Sequence, residues 1–287
     1  MANISTDTDI SPRKGRRIGK GNTAEVFEYA DAKALKLFIP GYSENACRHE
    51  YSATRFVNAL LDIAPRAYEI IHMDDRVGIV YERVAGDTMT VCLARSPRKI
   101  IYFAKMMASI HVGIHKPVKE DATGVKEKLA DAINKAEALS SDEKQAILAY
   151  LDALPDGKSI CHFDFHPDNI MISDSRYYVI DWVDSCLGDP RADVARSLIL
   201  SNYGTVRGLP PPVVLFFTLA KRIIAYCYLK EYIRLTGASR ADIHRWELPV
   251  AAARLYETIP DAERKILLKL VRKKLNALYV PRKAADA

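Results

Sequence analysis

The feature that most constrains this chain is a stretch that starts at His162 and sets out three polar groups in a fixed order. Asp164 is followed five residues later by Asn169, and Asp181 comes twelve residues after that. Phosphoryl transfer from a nucleotide needs such a set, because one carboxylate orients the attacking hydroxyl while an amide oxygen and a second carboxylate hold magnesium. His162, Asp164 and Asn169 also match the catalytic-loop pattern H-x-D-x-x-x-x-N in register. The stretch therefore predicts a phosphoryl-transfer site.

Short apolar runs flank the second half of this motif. Residues 170–172 and 177–180 have the composition of strands, and residues 174–176 between them are turn-like. A hairpin here would bring the Asn and the second Asp of the motif to the same open end, where they can share a cation. The alternative is a polar loop between two strands, with His162 and His166 as hydrogen-bonded structural groups, since short patterns also occur by chance.

Upstream, residues 18–29 read as a glycine-rich turn between two strands. Gly19, Gly21, Ala24 and Val26 follow the pattern G-x-G-x-x-A-x-V. Glycine lets backbone N–H groups approach phosphate oxygens, because no Cβ intervenes. The same glycines open dinucleotide-binding folds, but there a helix follows, whereas the residues after Val26 have strand character. No G-x-x-x-x-G-K-[ST] sequence occurs, so a P-loop is not supported.

Lys36 lies in a short apolar segment at residues 34–38, with the layout of the kinase V-A-I-K strand. A single Lys in an apolar strand usually extends to the surface, but this one stands between a glycine-rich hairpin and a catalytic-loop motif. Residues 45–60 are predicted to be helical and carry Glu50, which we expect to pair with Lys36. Glu44 is the weaker candidate, because a carboxylate at a helix start is favoured by the helix dipole anyway.

Residues 78–86 read as a strand that passes into a loop. In a two-lobed kinase this is the hinge, whose backbone binds the adenine edge. We expect Glu82 and Val84 to contribute backbone groups there.

The order of these patterns predicts an α+β, two-lobed, protein-kinase-like fold. Residues 1–13 are expected to form a flexible tail, 14–85 an N-terminal nucleotide-binding lobe, and 86–287 a mostly helical catalytic and acceptor-binding lobe. A cap is expected at Ser141 or Asp142. The expected helices of the larger lobe are residues 98–111, 125–138, 142–154, 192–200, 212–235, 241–257 and 261–278.

Composition narrows the class of protein. The 287 residues are 49% hydrophobic and 27% charged, with a net charge of +6, which fits a soluble globular chain. Five scattered cysteines without C-x-x-C indicate a reduced, cytoplasmic protein without a zinc site. We expect neither a signal peptide nor a membrane span. Cys161 beside His162 is interpreted as a strand end rather than a thiol nucleophile.

Two further observations concern the molecules that this protein acts on or binds. After Asp181 the chain reaches Gly188-Asp-Pro190 within nine residues, which leaves no room for the activation segment that follows the magnesium Asp in protein kinases. A small-molecule acceptor is therefore favoured over a protein. The basic helix at residues 261–278 is interpreted as a solvated face rather than a nucleic-acid or membrane surface.

Taken together, the chain resembles the aminoglycoside phosphotransferase/choline kinase-like family of small-molecule kinases over about residues 15–200. The resemblance rests on the motifs above and on Gly188-Asp-Pro-x-x-Asp193. It implies that Asp164 is the catalytic base, that Asn169 and Asp181 bind Mg²⁺, and that Lys36 contacts the phosphates of ATP or sometimes GTP. It also implies that Asp193 holds the catalytic loop, with His162 and His166 as supports.

The acceptor stays open at this stage. An aminoglycoside or similar antibiotic is expected first, and a metabolite of choline, ethanolamine, homoserine or sugar type is the alternative. A catalytically silent kinase-like module is disfavoured, because such a module has no need of the full polar set. A polycationic acceptor would bind best in a cleft lined by carboxylates. Candidate lining residues are the acids Glu231, Asp242, Glu247, Glu257 and Asp261, with Trp246 or Tyr256 for stacking.

Overall fold

The computed structural model describes residues 14–119, 122–173, 176–204 and 211–279. The expected tail at residues 1–13 and the expected turn at Asp174 and Ser175 lie outside these ranges. The chain forms two compact units. The first comprises residues up to Gly86 together with 171–183, and the second comprises 87–170 together with 184 onward. Among the described residues, no helix combines the length and apolar character needed to cross a membrane.

The first unit is built on a five-stranded antiparallel sheet in the order β1-β2-β3-β5-β4. Its strands are β1 (Lys14–Lys20), β2 (Ala24–Tyr29), β3 (Lys33–Phe38), β4 (Ala67–Met73) and β5 (Arg76–Glu82). Helix α1 (Glu44–Leu61) connects β3 to β4. Its N-cap is Ser43, whose hydroxyl accepts from the backbone N–H of Ala46. The helix thus starts within one residue of the expected start at residue 45, and β5 starts two residues before the expected residue 78.

Strand alternation decides which way Lys36 points. Leu35 and Leu37 are fully buried in one cluster of the first unit, whereas Phe38 is buried in another together with Cys47 of α1. Since alternate side chains of a strand face opposite sides, Lys36 shares the face of Phe38. That face is the one covered by α1, which is why a lysine in an apolar strand meets a helical carboxylate.

The second unit is mainly helical. A two-residue strand β6 (Asp87–Thr88) opens it, and short strands β7 (Ser159–Cys161) and β10 (Cys186–Gly188) pair antiparallel. In sequence between these two strands come β8 (Ile170–Ile172) and β9 (Tyr177–Val179), which are neighbours in one sheet, as the expected hairpin requires; from Met171 onward they belong to the first unit. The helices of the second unit are α2 (Met89–Arg95), α3 (Ile100–Ile114), α4 (Val125–Lys135), α5 (Ser141–Asp152), α6 (Pro190–Tyr203), α7 (Pro211–Thr236), α8 (Arg240–Arg245), α9 (Glu247–Arg254) and α10 (Asp261–Tyr279).

Some local expectations are wrong. The single helix expected at 241–257 is two helices, because Pro249 has no N–H to donate to the carbonyl of residue 245 and its ring crowds that carbonyl. The cap of α5 is Ser140, which forms a capping box with Glu143. Strand β10 was not expected. Residues 171–183, placed in the larger lobe by the sequence, belong to the first unit.

Candidate active site

Lys36 is the centre of the polar cluster of the first unit. Its Nζ lies 2.6 Å from Glu50 Oε1 and 3.0 Å from Asp181 Oδ1. The hydroxyl of Tyr81 donates to the same Glu50 oxygen at 2.9 Å. Glu44, the other candidate partner, is instead exposed at the start of α1 and pairs with Arg48. The expected Lys36–Glu50 pair is therefore present.

Burial and charge act against each other on this pair. Burial alone would lower the pKa of Lys36, but the carboxylates of Glu50 and Asp181 outweigh it and raise that pKa. Burial raises the pKa of Glu50, and the Lys36 ammonium opposes the shift. Lys36 is thus a fixed positive charge that lies between a buried carboxylate and Asp181, whose side chain is 35% exposed.

Asp181 is positioned by its own backbone and by the residue after it. It adopts φ 66°, a left-handed conformation that is uncommon for a residue with a Cβ. Trp182 follows and is fully buried, with its indole N–H donating to the Val179 carbonyl at 2.9 Å. The bulky anchor turns the chain sharply at Asp181 and leaves that carboxylate facing Lys36.

The glycines of the first hairpin have no structural need to be glycine. A Cβ built on Gly19 would meet Val26 Cβ at 3.4 Å, and one on Gly21 would meet only the Ala24 carbonyl oxygen at 3.7 Å. Both are ordinary contacts, and neither residue has a positive φ. Open space above a backbone N–H is what a phosphate-covering turn requires.

The two hinge residues differ in what their backbones offer. The N–H of Glu82 donates to the Arg66 carbonyl at 2.8 Å, so only its carbonyl remains for an adenine edge. Val84 lies in the loop after β5, where strand pairing has ended.

In the second unit, Asp193 holds the catalytic-loop backbone. Its Oδ2 accepts from the backbone N–H of His162 at 2.6 Å, and its Oδ1 accepts from that of Phe163 at 2.9 Å. Phe163 has φ 64°, so the chain turns sharply just before Asp164. Asp193 is fully buried and lies in the first turn of α6. Its carboxylate accepts both bonds from that position.

Asp164 is surrounded by donors from its own loop. The amide nitrogen of Asn169 lies 2.9 Å from the Asp164 backbone oxygen and 3.1 Å from Oδ2. His166 accepts the N–H of Asp168 through Nδ1, which leaves the ring proton on Nε2, 3.4 Å from Asp164 Oδ2. The backbone N–H of Asp164 donates to His162 Nδ1 at 3.2 Å. The loop thereby fixes both the backbone and the carboxylate of Asp164.

These neighbours keep Asp164 ionised. Burial alone would raise its pKa, but the hydrogen bond from His166 and the positive charge of Arg196 lower that pKa well below its ordinary value. The side chain is 25% exposed, so the carboxylate can still meet a ligand.

Two histidines that the sequence analysis did not single out complete the support of Asp193. His111 Nε2 lies 3.0 Å and His115 Nε2 3.3 Å from Asp193 Oδ2. Their Nδ1 atoms lie 2.6 Å and 2.9 Å from the hydroxyls of Tyr228 and Tyr232, respectively. The i, i+4 spacing of the histidines was the available signal, since it puts both on one helix face.

The same cluster has the residue types of a metal site, with ligand atoms of His111, His115 and Asp193 within 4.8 Å of one another. Hydrogen bonding accounts for most of this cluster. A tyrosine hydroxyl that donates to each Nδ1 puts the ring proton on Nε2. Nε2 of His115 is hydrogen-bonded to Asp193 Oδ2, whereas Nε2 of His111 lies 3.0 Å from the same oxygen without the alignment of a hydrogen bond. Burial lowers the pKa of His111 to about 4, so its ring is neutral at pH 7. We therefore interpret the cluster as a scaffold.

Arg196, also missed, lies one turn after Asp193 on α6 and touches the catalytic loop. Its Nε donates to the Phe163 carbonyl at 3.2 Å, and its Nη1 lies 2.7 Å from Glu257 Oε1. Arg254 pairs with Glu257 through Nη1 at 2.7 Å and with the buried Glu263 through Nη2 at 2.6 Å. The i, i+3 spacing from Asp193 was the only sequence signal for Arg196.

Other residues weighed from the sequence have structural roles. Trp246 is 1% exposed, at the junction of α8 and α9, so it cannot stack on an acceptor ring, whereas Tyr256 is 53% exposed. Cys161 is fully buried, and burial raises the pKa of its thiol well above the usual range, which suppresses nucleophilicity. Among the candidate acids, Glu231 pairs with Arg234 and Glu247 with Lys274.

Asn169 and Asp181 have the donor chemistry for magnesium. Because the nitrogen of Asn169 is committed to Asp164, its amide oxygen is the atom left for a cation. The part-exposed carboxylate of Asp181 adds an anionic oxygen. Carboxylate and amide oxygens are hard ligands of the kind that Mg²⁺ takes beside substrate phosphates.

Comparison with known proteins now decides the family. The model of the phosphotransferase enzyme family, APH, matches residues 14–221. The chain belongs to this family. The match ends within α7, so α8 to α10 lie beyond it. No curated protein matches the sequence.

Solved structures show the same fold at low identity. A thermostable aminoglycoside phosphotransferase APH(4)-Ia, in ternary complex with ADP and hygromycin B, has a TM-score of 0.65 and 13% identity, covering 94% of this chain and 96% of its own. The streptomycin–ATP complex of APH(2")-IIa has a TM-score of 0.56 and 18% identity, covering 96% and 97%. These structures confirm the α+β, protein-kinase-like fold, and the family match confirms that the chain is a phosphotransferase.

Proposed function

We propose that this chain uses Mg²⁺ to transfer the γ-phosphate of ATP, or alternatively of GTP, to a hydroxyl of a small molecule, with an aminoglycoside or similar antibiotic as first candidate acceptor. The observation that carries the proposal is the catalytic loop. Asp164 is kept ionised, partly exposed and fixed by Asn169 and by the loop backbone, which Asp193 holds. A carboxylate in this state accepts the hydrogen bond of an incoming hydroxyl and takes up its proton as the phosphoryl group is transferred.

The remaining roles divide between the two units. Lys36, held by Glu50, would contact the nucleotide phosphates, and the hairpin with Gly19 and Gly21 would cover them. The hinge would bind the adenine edge through the Glu82 carbonyl and the Val84 backbone. Asn169 and Asp181 would hold Mg²⁺, which supplies charge neutralisation at the phosphates when bound.

The antibiotic acceptor is supported by what similar structures contain. Their complexes hold hygromycin B with ADP, and streptomycin with ATP. A GDP complex of aminoglycoside 2'-phosphotransferase-IIIa, at 16% identity and a TM-score of 0.55, keeps GTP open as donor. The free cysteines of the described residues fit a reducing, cytoplasmic location.

One observation favours the second candidate, a kinase of a metabolite. Between Leu198 and Lys230 the chain contains no Asp or Glu, yet it contains Arg207, Lys221 and Arg222. Lys221 Nζ donates to the Gly204 carbonyl at 2.7 Å. Burial lowers the pKa of Lys221, and the carboxylates of Glu263 and, more weakly, of Asp168 in the catalytic loop oppose that shift. A polycationic acceptor gains nothing from such a segment.

The test is nucleoside diphosphate release by the purified protein with Mg²⁺ and ATP or GTP. The acceptors are aminoglycosides, other hydroxylated antibiotics, choline, ethanolamine, homoserine and sugars, with Asp164→Asn as the blank. Release stimulated by one class and absent in the variant supports the function and identifies the acceptor class. Nucleotide binding with no stimulation by any class would contradict the small-molecule kinase as proposed.

A further inference from the structure

The residue before the proposed base is held on both sides in an unfavourable conformation. Phe163 has φ 64°, in the left-handed region that a β-carbon disfavours. Its N–H donates to Asp193 Oδ1 at 2.9 Å, and its carbonyl accepts from Arg196 Nε at 3.2 Å. Because Phe163 and Asp164 share a peptide plane, the direction of the Asp164 side chain depends on both bonds.

The Arg196 bond is itself supported by residues far along the chain. The Arg196 side chain is 7% exposed, and Glu257 Oε1 lies 2.7 Å from its Nη1. A buried guanidinium needs such a partner, since an unpaired buried charge is strongly unfavourable. Glu257 is fixed in turn by Arg254, which also pairs with Glu263 of α10. Glu257, Arg254 and Glu263 all lie beyond the family match at residues 14–221.

We propose that Arg196 is a positioning residue for the reaction: held by Glu257, it fixes the Phe163 carbonyl and thereby aims Asp164 at the acceptor hydroxyl. The catalytic effect rests on the proposed function, but the effect on the loop does not. The contacts connect the C-terminal region outside the family match to the base through Arg196 and the Phe163 carbonyl.

The loop is tested first, without an acceptor. Hydrogen exchange of the peptides that cover residues 159–170 is compared in the full chain and in Arg196→Met and Glu257→Gln. Arg234→Gln is the control, since its ion pair with Glu231 lies on α7 and does not touch the loop. Both loop variants should exchange several times faster than wild type, and the control should not. Unchanged exchange in a folded Arg196→Met or in Glu257→Gln would overturn the proposal, whatever the acceptor is.

The second part of the test measures kinetics on the acceptor that the diphosphate-release assay identifies. Arg196→Met should lower kcat by roughly ten- to hundredfold with KM for the nucleotide near wild type, because a displacement of about 1 Å costs that much in rate. Arg196→Lys should recover part of the loss. A raised acceptor KM with unchanged kcat would overturn positioning in favour of acceptor binding. If Arg196→Met does not fold, Glu257→Gln decides by the same criteria.

Discussion

The side-chain nitrogen of Asn169 donates to both the backbone oxygen and the carboxylate of Asp164, at 2.9 Å and 3.1 Å. The side-chain amide of Asn169, the proposed metal ligand, is thus hydrogen-bonded to Asp164, the proposed base. The bond fixes the base and, at the same time, presents the amide oxygen of Asn169 in the opposite direction.

Asn169→Ala should therefore damage magnesium use and turnover together. We expect the Mg²⁺ concentration for half-maximal rate to rise roughly tenfold or more, with a lower kcat at saturation. A Mg²⁺ titration of the initial rate measures both. Asp168→Asn is the matched control, since this neighbour is 64% exposed, and it should leave the titration unchanged. An unaltered Mg²⁺ dependence in Asn169→Ala would exclude it as a ligand.

Removing Glu50 should weaken nucleotide binding and the fold together. Glu50→Ala leaves a largely buried Lys36 with only Asp181 as partner, and breaking a buried pair costs about 3 kcal/mol or more. Urea unfolding and calorimetric titration with nucleotide give the two readouts. Glu44→Gln, an exposed residue on the same helix, should change stability by less than about 1 kcal/mol. Equal effects of the two substitutions would remove the special role of Glu50.

Alanine at Gly21 should separate binding from stability. The added Cβ has room in the hairpin, its nearest neighbour being the Ala24 oxygen at 3.7 Å, so the melting temperature should stay near wild type. Nucleotide affinity should fall, because the methyl group blocks the approach of a phosphate to the backbone. Gly188→Ala is a control for which the opposite effect on stability is expected. A Cβ there would lie 2.4 Å from Val125 Cγ2, which predicts lost stability. Unchanged affinity in Gly21→Ala would place the phosphates elsewhere.

Stability should fall as pH drops from about 6.5 toward 4. Burial lowers the pKa of His111 from 6.5 to about 4, so between these values the unfolded chain binds a proton that the folded chain does not. This group therefore stabilises the fold fully above pH 6.5, by about 3 kcal/mol, and loses the contribution on acidification. The depressed pKa of Asp193 acts in the same direction. Urea unfolding at several pH values measures this effect. The free energy of unfolding should decline less steeply on acidification in His111→Gln than in wild type.

Much of this site was predictable because its chemistry is local in sequence. The spacing of Asp164, Asn169 and Asp181, and the strand alternation around Lys36, depend only on near neighbours and on the period of the backbone. The support of the loop could not be predicted in the same way. Asp193 meets His111 across more than eighty residues, and Arg196 meets Glu257 across about sixty, contacts that tertiary packing alone creates.

The helix errors have a different origin. Apolar periodicity continues through residues 241–257, but one missing N–H at Pro249 divides the helix. The expected stacking role of Trp246 failed for the same reason, since the junction of the two helices buries that ring. Periodicity indicates which face is apolar, and it does not indicate where a chain turns.

The most direct test of the central claim is phosphorus NMR of the acceptor after incubation with protein, nucleotide and Mg²⁺, for wild type and Asp164→Asn. Wild type should form a phosphate ester on the acceptor. Asp164→Asn should form it at a rate lower by roughly a hundredfold or more, with near-normal nucleotide affinity. Near-wild-type formation of the ester by Asp164→Asn would contradict the account, because the carboxylate on which it depends would not be the base.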